Sequence, residues 1–201
     1  MGDEPHVPLG ADPDEQVVDV TREHGLGVPG GAPGGVPRPR LTEAMGITRT
    51  SMYAAYGNKE QLFRKALDRY GEGPAGYLPE AVRKPTARAV AEHLLRGAVL
   101  ATTLPGRPAG CLSVQGALAT GQSGEAAHKL LVEWRKQGEQ RVRERFQAAL
   151  DEGDLPPGTD PAALARYLFT VAYGVAVQAA SGVPRERLQE TVEIALRAWP
   201  A

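Results

Sequence analysis

The chain holds one cysteine in 201 residues, and aromatic side chains make up only 5% of it. A lone thiol closes no internal disulfide, so Cys111 is expected to act as a small apolar side chain or as a redox-sensitive group, in a reducing cytoplasm. No segment approaches the roughly 20 apolar residues that a membrane-spanning helix requires. The opening MGDEPHVPLGADPDE is acidic, where a secretory signal is basic and then apolar. No membrane partner is expected. His6, His24, His93 and His128 show no metal-ligand spacing, and H-E-x-x-H, G-x-S-x-G and a strand-borne phosphate loop are all missing. No catalytic group, metal or cofactor is therefore expected. Period-two alternation is missing too, so the expected fold is all-α.

Charge is scarce in net terms, at −1, but unevenly spread. Residues 1–37 carry seven acids against Arg22, whereas residues 38–70 carry seven bases against three acids. A basic segment of that size suits a polyanion, or an ordinary solvated helix face.

Residues 12–24 predict a modest helix, with Asp12 as cap, Pro13 in its first turn and a thin apolar face of Val17, Val18 and Val20. The stretch 25–40 has six glycines and four prolines in sixteen residues and reads as a linker. From Leu41 the pattern is helical almost to the end. LTEAM (41–45) stops at Gly46, Thr48 caps RTSMYAAY, and Asn58 caps a longer helix bearing Leu62, Phe63, Ala66, Leu67 and Tyr70. GEGPAGY is read as a break. Long apolar-faced helices follow at 86–104, 123–150 and 161–182, with a short one near 111–121 and a last one ending at Trp199. Leu131, Trp134, Val142, Phe146 and Leu150 form one stripe, and Leu188, Val192, Ala195 and Trp199 another. In 161–182, Ala172, Gly174, Ala176, Ala179 and Ala180 are small enough to admit a partner helix, so a homodimer with a four-helix interface is expected.

Two short helices joined by the tight turn M-G-I-T describe a helix-turn-helix. In that motif the first turns of the second helix face base edges in the major groove. Arg49, Thr50 and Ser51 occupy those turns. Arginine pairs with guanine through two hydrogen bonds, and a threonine methyl packs on a thymine methyl. Tyr53 and Tyr56 present phenols at phosphate reach, and Lys59 opens the next helix, where a cation and free N–H groups hold phosphate. Met52 and Tyr56, four residues apart, also suit a core.

The run LTEAMGITRTSMYAAYGNKEQLF closely resembles the DNA-binding signature of the TetR family of repressors, matching at Ala44, Gly46, Ile47, Thr48, Met52, Tyr53, Tyr56, Lys59, Glu60 and Leu62. AGCLSVQGAL (109–118) resembles a G-C-L-L-V stretch of one branch of that family. The resemblance implies three parts: a weakly structured segment at 1–40, a helix-turn-helix region at 41–72, and a helical effector-binding and dimerisation domain at 80–201. It places Thr48 at the cap of the recognition helix, with Arg49, Thr50 and Ser51 toward bases and Tyr53, Tyr56 and Lys59 toward phosphates. It also implies palindromic double-stranded operator DNA bound by a homodimer and released by a small ligand. Leu94, Leu95, Val99, Leu112, Trp134, Phe169 and Tyr173 are the candidate lining of the ligand pocket, either as such or as plain core. Such a lining suits a hydrophobic or aromatic effector.

One departure stands out. The family's first helix carries a Leu-Phe pair and an aromatic after its glycine, whereas residues 14–28 offer three valines and REHGLGV. A shifted reading frame over this part of the gene gives such a composition. Weakened operator binding is the expected consequence, and a helical ligand-binding dimer without DNA function is the alternative.

Overall fold

The computed structural model describes residues 42, 46–118 and 125–200, and among them the chain forms eight helices and no strand. The helix expected at 12–24, the Gly/Pro stretch and most of 41–45 lie outside the described residues. The helices are α1 (Arg49–Tyr56), α2 (Lys59–Glu72), α3 (Tyr77–Ala81), α4 (Ala87–Thr102), α5 (Leu112–Leu118), α6 (Glu125–Asp151), α7 (Pro161–Ala180) and α8 (Arg185–Arg197).

Local chemistry sets most of the boundaries. Thr86 accepts a hydrogen bond from Ala89 N at the start of α4, at 3.1 Å. Asp160 accepts from Ala162 N and Ala163 N ahead of Pro161 at the start of α7. A second cap on α4 comes from far along the chain, because the Asp154 carboxylate accepts from Ala87 N at 2.5 Å. That bond ties the loop after α6 to the first turn of α4. A short helix that the sequence reading did not predict, α3, begins at Tyr77, the last residue of the stretch read as a break, with Pro79 in its first turn, where a missing N–H costs nothing.

The main core joins α4, α6, α7 and α8. The inward face of α4 carries Val90, Leu94, Leu95, Ala98 and Val99, all at most 2% exposed. On α6 the expected stripe keeps Leu131, Val142 and Phe146 fully buried, while Trp134 and Leu150 are only partly so. Gly138 completes that stripe, because a side chain there would meet Leu78 Cδ2 at 3.1 Å and Phe169 Cζ at 3.5 Å. All four residues expected on the last stripe are buried, and Trp199 packs on Phe146 with ring centroids 5.4 Å apart. Each large apolar side chain so buried contributes roughly 1.5–3 kcal/mol.

Helix α7 departs from expectation in two ways. By length and composition it is apolar enough to cross a membrane, which the sequence reading excluded for every segment. Its apolar face here goes to α4 and α6, as in the central helix of a helical core. Of the five small residues expected at a partner helix, Ala172, Ala176 and Ala179 are buried within the protomer, and Gly174 and Ala180 are exposed. The outward face instead shows Tyr167, Gly174 and Val177, and Ile194 on α8 is 60% exposed.

Candidate nucleic-acid interface and the cavity behind it

Gly46, at φ 62°, turns the chain sharply, and Ile47 N donates to Thr42 O at 3.1 Å. Thr48 is extended, and its Oγ1 accepts from Ser51 N at 3.1 Å, capping α1. The Thr48 and Ser51 hydroxyls are also joined, at 2.8 Å. Arg49, Thr50 and Ser51 are exposed on this first turn. The Arg49 guanidinium lies over the Tyr53 ring, 5.8 Å from its centroid. The opposite side of α1 anchors the motif: Met52 is 3% exposed and packs with Leu62 and Ala66, flanked by Ile47, Tyr53 and Tyr56.

Gly57, at φ 76°, ends α1, and a reciprocal cap opens α2. Gln61 N donates to Asn58 Oδ1 at 2.9 Å, and Asn58 N donates to Gln61 Oε1 at 2.8 Å. Lys59 is the first residue of α2, and its side chain lies outside what the structure describes. A contact the sequence reading missed comes from Lys65. Its ammonium donates to Ala55 O at 3.2 Å and sits 5.3 Å from the Tyr56 ring centroid. A cation there favours the negative end of α1 and fixes the angle between the two helices. The result is a short exposed helix edge bearing a guanidinium and three hydroxyls, capped at its start and anchored through Met52, which is the chemistry that reads base edges.

The other buried face of α2 meets the C-terminal helices. Phe63, Leu67 and Tyr70 pack with Ala75, Leu112 and Leu131. The Tyr70 hydroxyl donates to Cys111 Sγ at 3.3 Å, and Cys111 Sγ is 3.2 Å from Ser113 Oγ. The Tyr70 ring lies 6.2 Å from Trp134.

Behind that joint is a cavity of about 20 Å³, lined by Tyr77, Leu78, Thr102, Cys111, Ser113, Trp134, Phe169 and Tyr173 together with Ala75, Ala98, Ala172 and Ala176. Of the seven candidate pocket residues, Trp134, Phe169 and Tyr173 are brought together here. Leu94, Leu95 and Val99 sit in the main core, and Leu112 in the joint with α2. Two larger hollows, of about 720 and 690 Å³, are open surface grooves that hold none of the seven. Tyr77 escaped the sequence reading because it follows the glycine break; it reaches the cavity only because Gly97 on α4 leaves room, a side chain there meeting its Cβ at 2.7 Å. Burial pushes the Tyr77 phenol well above the usual range, with Cys111 and Tyr173 adding to the effect. Burial likewise raises Tyr173, against the opposing pull of Arg135, whose guanidinium lies 5.8 Å from its ring centroid. No group of three metal-ligating side chains occurs among the described residues.

Residues 85–193 match the family model for the tetracyclin repressor-like C-terminal domain. The chain is also 38% identical to a cysteine-substituted form of the TetR family transcriptional regulator CifR, complexed with 26-bp double-strand operator DNA. That match covers 96% of this chain and 100% of the other, with a TM-score of 0.82. The chain belongs to the TetR family of transcriptional regulators. The HTH-type transcriptional repressor ComR of Escherichia coli (strain K12) is 29% identical over 167 residues, 80% of this chain and 77% of ComR. The TetR-family regulator SCO4454 of Streptomyces coelicolor shares the fold at 19% identity and a TM-score of 0.71, covering 92% of each chain. The stretch that matches the family's C-terminal domain, residues 85–193, takes in α4 to α7 and most of α8.

Proposed function

We propose that this regulator is a repressor that binds palindromic double-stranded operator DNA as a homodimer and lets go when a small hydrophobic or aromatic effector enters its C-terminal core. The observation that carries the DNA half is the capped first turn of α1, with Arg49, Thr50 and Ser51 exposed on a helix anchored from behind by Met52. The operator complex of the CifR relative supports the same reading. Arg49 and Thr50 would specify sequence, and Tyr53, Tyr56 and Lys59 would position the protein on phosphates. Ser51 would have to trade its bond to Thr48 for one to a base.

The homodimer reading rests on the outward face of α7 and α8. Tyr167, Val177 and Ile194 are large exposed apolar groups there, and nothing lies within 4 Å of a Cβ built at Gly174. A two-fold partner laid on this face would cover them. The effector half rests on the cavity at Trp134, Phe169 and Tyr173.

Sequencing DNA fragments selected by the purified protein tests the reading. A palindromic consensus should emerge, and Arg49→Ala should relax preference at one base pair per half-site at a cost of roughly 1–3 kcal/mol. Recovery of unenriched fragments at low salt would remove the operator reading.

A further inference from the structure

The cavity between α4, α6 and α7 has a chemical character that narrows what enters it. No lysine, arginine, histidine, aspartate or glutamate lines it, so a charged ligand would lie unpaired in a dry site. Its hydroxyls divide into two sets. Thr102 Oγ1 already donates to Ala98 O at 2.7 Å, and Ser113 Oγ is engaged with Cys111. The phenols of Tyr77 and Tyr173 make no hydrogen bond among the described residues, although both rings line the cavity. Raised as they are, both phenols are protonated at neutral pH and act as donors. A purely apolar ligand would leave them unpaired, whereas an acceptor oxygen would satisfy them.

The size of the cavity supplies the second constraint. About 20 Å³ holds no more than a water molecule. An apolar cavity that admits a benzene ring measures about 150 Å³. One wall must therefore move. The walls on α4 and α7 are Ala98, Thr102, Phe169, Ala172, Tyr173 and Ala176, and both helices are packed into the main core, Phe169 within it and Tyr173 against it. Trp134, partly exposed like Tyr77, Cys111 and Tyr173, packs on the joint with α2 and not on the main core, and beside it lie Gly71, 3.9 Å from the indole at a built Cβ, and the Tyr70 ring. Both belong to α2, the helix that carries α1, the proposed recognition helix.

We propose that this cavity is the closed form of an effector site for a neutral, ring-sized molecule bearing a hydrogen-bond-accepting oxygen, such as an aromatic ketone, and that the ligand enters by displacing Trp134 against Tyr70 and Gly71 of α2. The coupling to α2 rests on the operator-binding reading above; the ligand chemistry does not.

Two tryptophans make the test direct, because Trp134 lies at the cavity and Trp199 lies on Phe146 in the main core. Their indole N–H signals are followed by NMR in the full chain while acetophenone, ethylbenzene or benzoate is added. Acetophenone should shift the Trp134 signal saturably and leave Trp199 unmoved. Ethylbenzene, the same shape without the oxygen, should bind about tenfold more weakly, and benzoate should not bind. In the Tyr77→Phe, Tyr173→Phe double variant the ketone should lose that tenfold advantage while ethylbenzene binding persists, which shows the variant still folded. Equal binding of ketone and hydrocarbon, or preference for benzoate, overturns the acceptor assignment. Failure of all three probes to shift Trp134 saturably overturns the site. Saturating acetophenone should also weaken binding to selected operator DNA at least fivefold. Cavity binding with unchanged operator affinity overturns the coupling through α2. If the protein selects no DNA sequence, the operator reading fails alone, and the indole titration still decides the ligand.

Discussion

Replacing Thr48 by alanine removes one side-chain oxygen from the start of α1, the proposed recognition helix, and its effect follows from the geometry there. Thr48 Oγ1 accepts from Ser51 N at 3.1 Å and meets Ser51 Oγ at 2.8 Å. Loss of such a cap costs about 1 kcal/mol. In α1 that sum is large, because the helix has only eight residues and a single fully buried anchor, Met52. Isolated helices of that length do not persist in water, so α1 depends on its cap and on its packing against α2. A loss of about 1 kcal/mol raises the open population about fivefold. Hydrogen exchange read by mass spectrometry should therefore quicken about fivefold across Met52–Gly57, whose amides begin with Met52 N to Thr48 O at 2.9 Å. Thr48→Ser should restore the native rate. Exchange in α4, α6 and α7 should be unchanged, since the cap touches none of them. The slope of operator affinity against salt should also be unchanged, because no charge is altered. Unaltered exchange in α1, or equal acceleration in the C-terminal helices, would refute the reasoning.

Two further outcomes follow from single contacts. Lys65→Met removes the ammonium that holds Ala55 O and Tyr56, and should lower operator affinity roughly two- to fivefold. A fluorescence-anisotropy titration over a range of salt should give the native slope; a slope shallower by about 0.9 would show Lys65 to be a phosphate contact instead. Gly174→Arg meets open space within its own protomer, so the monomer should fold normally. Light scattering should then fall from about twice the monomer mass to the monomer mass, and a native mass would place the dimer contact elsewhere.

How much of this was legible in the sequence depends on the range of the interaction. Thr48 and Asn58 cap helices within three residues of themselves and are named from the chain alone; Thr86 and Asp160, which the sequence reading did not name, cap by the same local rule. The exposure of Arg49, Thr50 and Ser51 follows from the same local turn. Helix α3 was missed because five residues holding Pro79, directly after a glycine-rich stretch, have no helical signal of their own, and the structure packs them onto α4 through Tyr77 and Gly97. Leu94, Leu95 and Val99 lie on the apolar face of α4, which marks them as inward but cannot say whether their neighbours leave space. They do not, because α7 closes on them. The space falls beside Ala98 and Thr102, where α7 presents Ala172 and Ala176 alongside Phe169 and Tyr173. Small side chains on two helices coincide there only after folding. The same limit explains Ala172 and Ala176: their size suits either a partner helix or a closely packed core, and the chain alone does not choose.

Helix α2 is the element that both halves of the molecule share, and its sequence shows why. Successive residues on a helix point about 100° apart, so Leu62 and Ala66 define one face while Phe63, Leu67 and Tyr70 define the adjacent one. The first face holds α1 through Met52, and the second holds α5 and α6 through Leu112 and Leu131. With both faces close-packed, α2 cannot roll to accommodate a displaced Trp134 without changing the setting of α1. Leu62→Ala and Leu67→Ala make the same chemical change on these two faces, and each position is 3% exposed. Each should cost roughly 2–5 kcal/mol in local packing, but at different places. Leu62→Ala should quicken hydrogen exchange in α1 and leave α5 and the first turns of α6 at native rates. Leu67→Ala should quicken α5 and the first turns of α6, and should also make operator binding less responsive to acetophenone. Identical exchange patterns in the two variants would mean that α2 yields as a single unit, with no separate faces to carry a signal from the cavity to the recognition helix.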